Sequence, residues 1–363
     1  MNAVKGIFLL LFIFLLSSCT KKEKEDFIIQ RGTNISHWLS QSDRRGEERA
    51  GFFTEKDIDL IAEAGYDHIR LPIDEEQLWD EMGNKEQEAF KLMHWAIEHA
   101  IERDLRVIVD LHIIRSHHFN EGDRPLWTHA EEQDKFVGIW RQLSSELSKY
   151  PVSHLAYELM NEAVTDNPEN WNKLLARAHA AIRENEPDRK IVIGSNMWQS
   201  VNTFPDLVIP ENDSNLILSF HFYHPMILTH YKAGWTPVGQ YTGPVNYPGK
   251  VVPDNVIDGL PENLKEEVAF WGKNYTIDSM RIEIQPPVVY ARKAGLPLYC
   301  GEFGCYPTVP EKARLAWYSD LRKVLEENDI AWAHWDYKGG FGIVDREMNR
   351  DEGLIEVLLG DRK

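Results

Sequence analysis

The sequence predicts a closed (β/α)8 barrel of the TIM type. Three observations carry that reading: eight short apolar or β-branched runs, amphipathic helical patterns between most of them, and polar residues gathered where the runs end. Strands joined by crossover helices pair in parallel, and eight is the number that closes such a sheet. The structural alternative is an open, doubly wound sheet. That fold usually opens with a glycine-rich phosphate turn, and Arg31-Gly32-Thr33-Asn34 is no dinucleotide fingerprint.

The predicted strands are, in order, Phe27–Gly32, His68–Leu71, Arg106–Leu111, Leu155–Met160, Ile191–Gly194, Leu216–Phe222, Pro297–Cys300 and Ile330–Trp335. The first helix, Thr54–Ala64, has Thr54 as N-cap and Gly65 as its stop. Further helices are expected at Glu86–Arg103, Glu131–Lys149, Asn170–Glu186 and Glu311–Glu327. The connection after the sixth strand, about 224–296, is long. Its first half is rich in Pro, Gly, Trp and Tyr, and a helical stretch follows around Glu262–Trp271. Long loops in barrels usually belong to the active face, so Trp235, Tyr241 and Tyr247 are expected to wall a cleft.

Polar residues close six of the strands: Arg70; Asp110 and His112; Asn161 and Glu162; His221 and Tyr223; Glu302; Trp335 and Asp336. Barrel enzymes place their chemistry on this face. Glu162 and Glu302 stand 140 residues apart, each closing a buried run. Two carboxyl groups delivered to one place are what glycoside hydrolysis needs, one protonated and one ionised, facing each other across a sugar.

The ordered set Arg70, His112, Asn161-Glu162, His221-x-Tyr223, Glu302 and Trp335 resembles glycoside hydrolase family 5, the cellulase and mannanase family of the retaining clan. The resemblance covers essentially the whole chain past its N-terminal segment. It implies that Glu162, on the fourth strand, is the acid/base and Glu302, on the seventh, the nucleophile. Glu162 must then begin neutral, its pKa raised by burial and by the opposing carboxylate. Arg70 can hold Glu302 in a bidentate grip, and Tyr223 can donate to the same group. Asn161 suits the sugar 2-hydroxyl, His112 and His221 suit sugar hydroxyls or the orientation of Glu162, and Trp335 offers a flat face to a sugar ring. No step needs a metal or an organic cofactor.

Other residues read more plainly. His117-His118 is expected to touch substrate or lie on the surface. Trp38, Trp127 and Trp198 follow strands one, three and five, where either stacking or packing would serve. Asp74, Glu75 and Glu76 read as a solvated helix start. Cys300 and Cys305 are expected as free, buried thiols, and no Cys/His spacing suggests structural zinc.

Composition bounds the partners. The 363 residues are 43% apolar and 27% charged, which is globular, and no linker or internal repeat divides them. The net charge of −18 argues against nucleic acid or anionic lipid as ligand and is compatible with a neutral polymer. Lys5, the apolar run Ile7–Leu16 and the sequence Leu16-Ser17-Ser18-Cys19 read as a lipoprotein signal peptide over 1–18 with Cys19 as the lipidated residue. Residues 19–26 are then a charged tether and 27–363 a single catalytic barrel. The expectation is a monomeric, retaining endo-β-1,4-glucanase, lipid-anchored in a bacterial cell envelope and acting on a polysaccharide. A β-mannanase or another β-glucan hydrolase of the same family is the alternative. A non-catalytic glycan-binding lipoprotein is the alternative of another class, and it would not require Arg70, Glu162, Tyr223 and Glu302 together.

Overall fold

The computed structural model describes residues 26–360. The signal segment, Cys19 and residues 19–25 of the tether lie outside the described residues. Among the described residues no helix is long and apolar enough to cross a membrane.

Among the described residues ten strands occur: β1 (Arg31–Asn34), β2 (His68–Asp74), β3 (Arg106–Ile113), β4 (Leu155–Glu158), β5 (Ile191–Gly194), β6 (Leu216–Phe222), β7 (Gly249–Lys250), β8 (Asn274–Tyr275), β9 (Leu298–Phe303) and β10 (Ala331–His334). Eight of them close a barrel in the order β1-β10-β9-β6-β5-β4-β3-β2, all parallel, while β7 and β8 form a separate antiparallel pair. The predicted (β/α)8 class is what forms. Helices Glu55–Ala64, Gln87–Glu102, Ala130–Leu147, Pro168–Arg183 and Glu311–Glu327 pack outside it, within a residue or a few of their expected bounds. Gly65 ends the first in the left-handed conformation, at φ 98°.

Alternation along the strands builds the barrel interior in layers. The lower layer is apolar: Ile108, Ala156, Val192, Ile217, Tyr299 and Ala333, with Phe27 packed against them. Phe27 was expected to open the first strand. Pairing starts instead at Arg31, and Phe27 joins the interior cluster. Gly32 pairs with His68 and Ala333 in this layer. A Cβ on Gly32 would sit 2.3 Å from His68 Nε2, so the glycine makes room for the imidazole. That ring is held by Asp67 Oδ1 at 2.7 Å and the Tyr299 hydroxyl at 3.2 Å.

Two residues further along β1 to β4, the same face carries Asn34, Arg70, Asp110 and Glu158, all fully buried. One step of the pleat turns an apolar layer into a charged one, and this is the floor of the site. Tryptophans from the outer helices tie down the strand ends. Trp140 Nε1 donates to the Leu159 carbonyl and Trp171 Nε1 to that of Gly194, both at 2.9 Å.

Two expectations about loops are corrected. Trp235 is exposed, but Tyr241 and Tyr247 are buried. Their hydroxyls donate to the Pro244 carbonyl and to Asp320, at 2.8 and 2.7 Å. Those two aromatics build the core of the insertion rather than a cleft wall. Asp74 and Glu75 are likewise buried and not a solvated helix start. Glu75 pairs with Arg115 and Lys135, and Asp74 Oδ2 accepts the Gln41 amide at 2.6 Å. Burial pushes the Asp74 carboxyl up to about 7. Cys300 and Cys305 are free and buried.

Gly32→Ala is expected to destabilise the protein by about 1–3 kcal/mol, because the added methyl must displace a ring fixed at both nitrogens. Urea unfolding followed by fluorescence measures it, and an unchanged midpoint would mean that His68 moves freely.

Candidate active site

A cavity of about 890 Å³ opens at the C-terminal ends of the strands, with Glu162 and Glu302 on its wall. Arg70 organises the floor. Its Nε donates to Glu158 Oε2 at 2.6 Å, and Nη1 donates to Asn34 Oδ1 at 2.9 Å and Glu302 Oε1 at 2.7 Å. Nη2 reaches Asn161 Oδ1 at 2.9 Å and Asp110 Oδ2 at 3.0 Å. The expected bidentate grip on Glu302 is not formed. A guanidinium has five N–H groups, and here they are spread over three carboxylates and two amides.

The two glutamates reach the cavity differently. Glu302 lies on β9, where the register with β6 slips between Phe220 and His221. Cys300 and Phe303 pack outward into the main core and Tyr299 inward. Strict alternation would turn Glu302 outward with Cys300. The extra residue, Gly301, reverses the parity. Glu162 lies four residues beyond the end of β4, in a loop, with φ 45° in the left-handed region that non-glycine residues seldom adopt.

Their partners also differ. Glu302 accepts from Arg70 and, at 2.9 Å, from the Tyr223 hydroxyl. Glu162 Oε1 lies 2.8 Å from His221 Nδ1, which is 3.7 Å from Glu302 Oε2. One oxygen or nitrogen from each of Glu162, His221 and Glu302 falls within 4.8 Å of the other two. That spacing would admit a cation. Arg70 against Glu302 opposes one, and both Glu302 oxygens already have donors.

Burial raises the pKa of both glutamates. For Glu162 the charge of Glu302 adds to burial, whereas for Glu302 the charge of Arg70 and the Tyr223 bond oppose it. A single proton on the pair therefore rests on Glu162. Burial lowers His112 to about 3 and holds His221 well below the ordinary imidazole range, so both imidazoles are neutral. His112 Nδ1 is then the donor to Asp110 Oδ2, at 2.7 Å.

The other expected site residues sort as follows. Trp335 lines the cavity, and one face of its indole stacks on the His112 ring, centroids 5.5 Å apart and planes 8° from parallel. His112 Nε2 and Asn161 Nδ2 are buried with no partner. Such atoms cost roughly 1–3 kcal/mol unless a ligand satisfies them. Trp198 is exposed and lines the cavity, Trp38 is packing, and Trp127 donates to the Val164 carbonyl at 2.7 Å. His117 is buried beneath the rim and accepts the Val164 amide at 3.1 Å. It is neither surface nor cavity lining.

The arrangement can donate a proton from one carboxyl, attack with the other and hold hydroxylated rings between them. A family model described as Cellulase (glycosyl hydrolase family 5) matches residues 23–340. The chain belongs to glycosyl hydrolase family 5. Among relatives of this family 5 protein, Endoglucanase C of Acetivibrio thermocellus is 32% identical over 340 residues, covering 92% of this chain and 98% of that protein. Cellodextrinase A of Ruminococcus flavefaciens is 28% identical over 307 residues, 84% of each chain. A solved structure of Thermotoga maritima Cel5A in complex with cellobiose is similar at TM-score 0.74 and 25% identity, covering 91% of this chain and 97% of that one.

Sequence reasoning missed three site residues of this family 5 chain. Glu158 and Asn34 carried a usable signal, since each sits two positions beyond an interior residue on a barrel strand. Gln199 carried none. Its amide lies between Glu158 and Glu162 only because of a loop conformation.

Replacing Arg70 by Met leaves Glu158, Asp110 and Glu302 facing one another. It is expected to cost about 3–5 kcal/mol of stability at neutral pH. Asp110, already pushed up to about 7 by burial, and Glu158 would be raised further in the folded state. Carboxyls whose folded pKa exceeds the unfolded value of about 4 favour folding when protonated and disfavour it as pH rises through the folded pKa. The deficit should therefore shrink from pH 7.5 to pH 5. A deficit that is constant or larger at pH 5 would contradict the charge balance described.

Proposed function

We propose that the protein is a retaining endo-β-1,4-glucanase. The observation that carries this reading is the spacing and inequality of Glu162 and Glu302. Their oxygens approach within 4.8 Å. So short a nearest approach favours the close pairing of double displacement, about 5–5.5 Å between carboxyl groups, over the roughly 6.5–9.5 Å that an inverting enzyme needs for a water. The names of the relatives support the glucan.

In the first step a Glu302 oxygen attacks the anomeric carbon while Glu162 gives its proton to the departing glycosidic oxygen. The C–O bond to the leaving sugar breaks and a glycosyl ester forms on Glu302. Glu162, now a carboxylate, then takes a proton from water. The water oxygen attacks the anomeric carbon, and Glu302 leaves as carboxylate. Arg70 and Tyr223 stabilise the charge that Glu302 carries before and after. His221 fixes the Glu162 carboxyl at 2.8 Å. Asn161 keeps only Nδ2 for a sugar, since Arg70 occupies its Oδ1, and Nδ2 suits the 2-hydroxyl. His112 Nε2 suits a further hydroxyl. The Trp335 face not covered by His112 suits the ring under attack.

Resemblance to Cellodextrinase A favours one second reading, action from the ends of short chains. Carboxymethylcellulose separates the two. Internal cleavage lowers viscosity well before reducing sugar accumulates, and end-wise release of small sugars from the start would defeat the endo reading. Glu302→Ala should abolish turnover and recover with azide. Glu162→Ala should keep partial activity on aryl cellobiosides with good leaving groups, which need little protonation. Equal loss on every substrate in both variants would contradict the roles.

We further propose that residues 1–18 act as a signal and that lipid on Cys19 holds the enzyme at the cell envelope. The sequence Leu16-Ser17-Ser18-Cys19 and the charged stretch after it support this. Cys19→Ser should leave the membrane fraction or remain unprocessed. A wild type cut elsewhere and wholly soluble would overturn the anchor.

A further inference from the structure

The loop that carries Glu162 is held largely by side chains from outside itself. The Glu162 amide donates to Gln199 Oε1 at 3.3 Å, and the Trp198 amide donates to the Ala163 carbonyl at 3.3 Å. Asn196 brackets Thr165, accepting from its amide at 3.0 Å and donating to its carbonyl at 2.6 Å. His117 and Trp127 do the same for Val164, at 3.1 and 2.7 Å. Backbone groups that no longer find a ladder partner beyond β4 find side chains instead.

Gln199 differs from the others in where its second bond goes. Its Nε2 donates to Glu158 Oε1 at 3.1 Å, and the other Glu158 oxygen accepts from Arg70 Nε. A continuous chain thus runs from the Glu162 backbone through Gln199, Glu158 and Arg70 to Glu302. The residue is 1% exposed and does not line the cavity, so it acts on substrate only through others. Its placement is costly. Met197, Trp198 and Gln199 have φ of 55°, 61° and 51°, three consecutive non-glycine residues in the left-handed region. Its amide also fills the space over Gly194, where a Cβ would lie 2.2 Å from Nε2.

We propose that Gln199 is a positioning residue for Glu162, tying the backbone of the acid/base to the ion network that holds the nucleophile. This rests on the roles given to Glu162 and Glu302 above. The amide is suited to the task because it accepts from Glu162 and donates to Glu158 at once. A carboxylate in its place can only accept, and a carboxylic acid can do both. Gln199 therefore sets where the Glu162 carboxyl sits along the line to the leaving oxygen, and proton delivery is the step it governs.

The test compares aryl β-cellobiosides. Gln199→Met keeps the shape and removes both bonds. Its kcat/KM should fall about tenfold or more on phenyl cellobioside, whose poor leaving group needs the proton, and stay within about twofold of wild type on the dinitrophenyl analogue. Equal loss on both, with an active wild type, would overturn the proposal and leave the glycanase reading standing. A wild type inactive on both would overturn the two together. Gln199→Glu supplies a second arm should the Met variant fold poorly. Beside buried Glu158 the new carboxyl binds a proton at acid pH and then restores both bonds. Activity on phenyl cellobioside should approach wild type at low pH and fall away from it as pH rises. A constant ratio to wild type across pH would overturn the proposal.

Discussion

Every N–H of one buried guanidinium is committed, and the site is arranged around that fact. Arg70 is fully buried and reaches groups on β1, β3, the β4 strand and loop, and β9. A cation stripped of water is tolerable only if its partners are well placed. The converse holds for Glu158, Asp110 and Glu302, which would each lack a counter-charge without it. A lysine could not substitute, having three donors around a point and no planar fork. The balance is uneven, with three carboxylates around one cation. Burial pushes Asp110 up to about 7, so it sheds part of its charge near neutrality.

The same floor divides the labour between the glutamates. Glu302 touches the cation directly and can stay ionised although buried. Glu162 is one remove away, facing Glu302 and a neutral imidazole, and keeps its proton. Two identical side chains are driven toward opposite protonation states through their neighbours alone. Their supports differ in kind as well. Glu302 is fixed by strand pairing, whereas Glu162 hangs in a loop whose amides and carbonyls are met by His117, Trp127, Asn196 and Gln199.

The barrel was legible because its signal is periodic: eight short runs, crossover helices and polar strand ends survive errors of a few residues at each boundary. Arg70, Glu162, His221, Tyr223 and Glu302 were legible as chemistry at strand ends, and the structure gathers them at one cavity or its floor. What escaped depends on register or on loop conformation. Glu158 reads as an ordinary strand residue until its face is known. Asp74 and Glu75 read as solvated because charge usually is, yet both are buried, with Gln41 donating to Asp74 Oδ2 and Arg115 and Lys135 pairing with Glu75. Tyr241 and Tyr247 read as cleft aromatics because nothing local shows that an insertion must bury a core of its own.

The placement of Glu302 shows how little backbone separates this site from an inert barrel. Between the pairs Phe220–Cys300 and His221–Glu302, β6 advances one residue and β9 advances two. Were β9 to continue in regular alternation through Gly301, the Glu302 carboxyl would share the outward face of Cys300, an unpaired charge against apolar helices. Glycine at 301 fits the bulge. A Cβ there would lie 3.0 Å from Ser219 Oγ and 3.2 Å from His221 Nε2, on the same β6 segment that carries the partner of Glu162. A side chain at 301 would therefore press on His221, the group that holds Glu162. The small residue before Glu302 keeps both carboxyl groups in place at once.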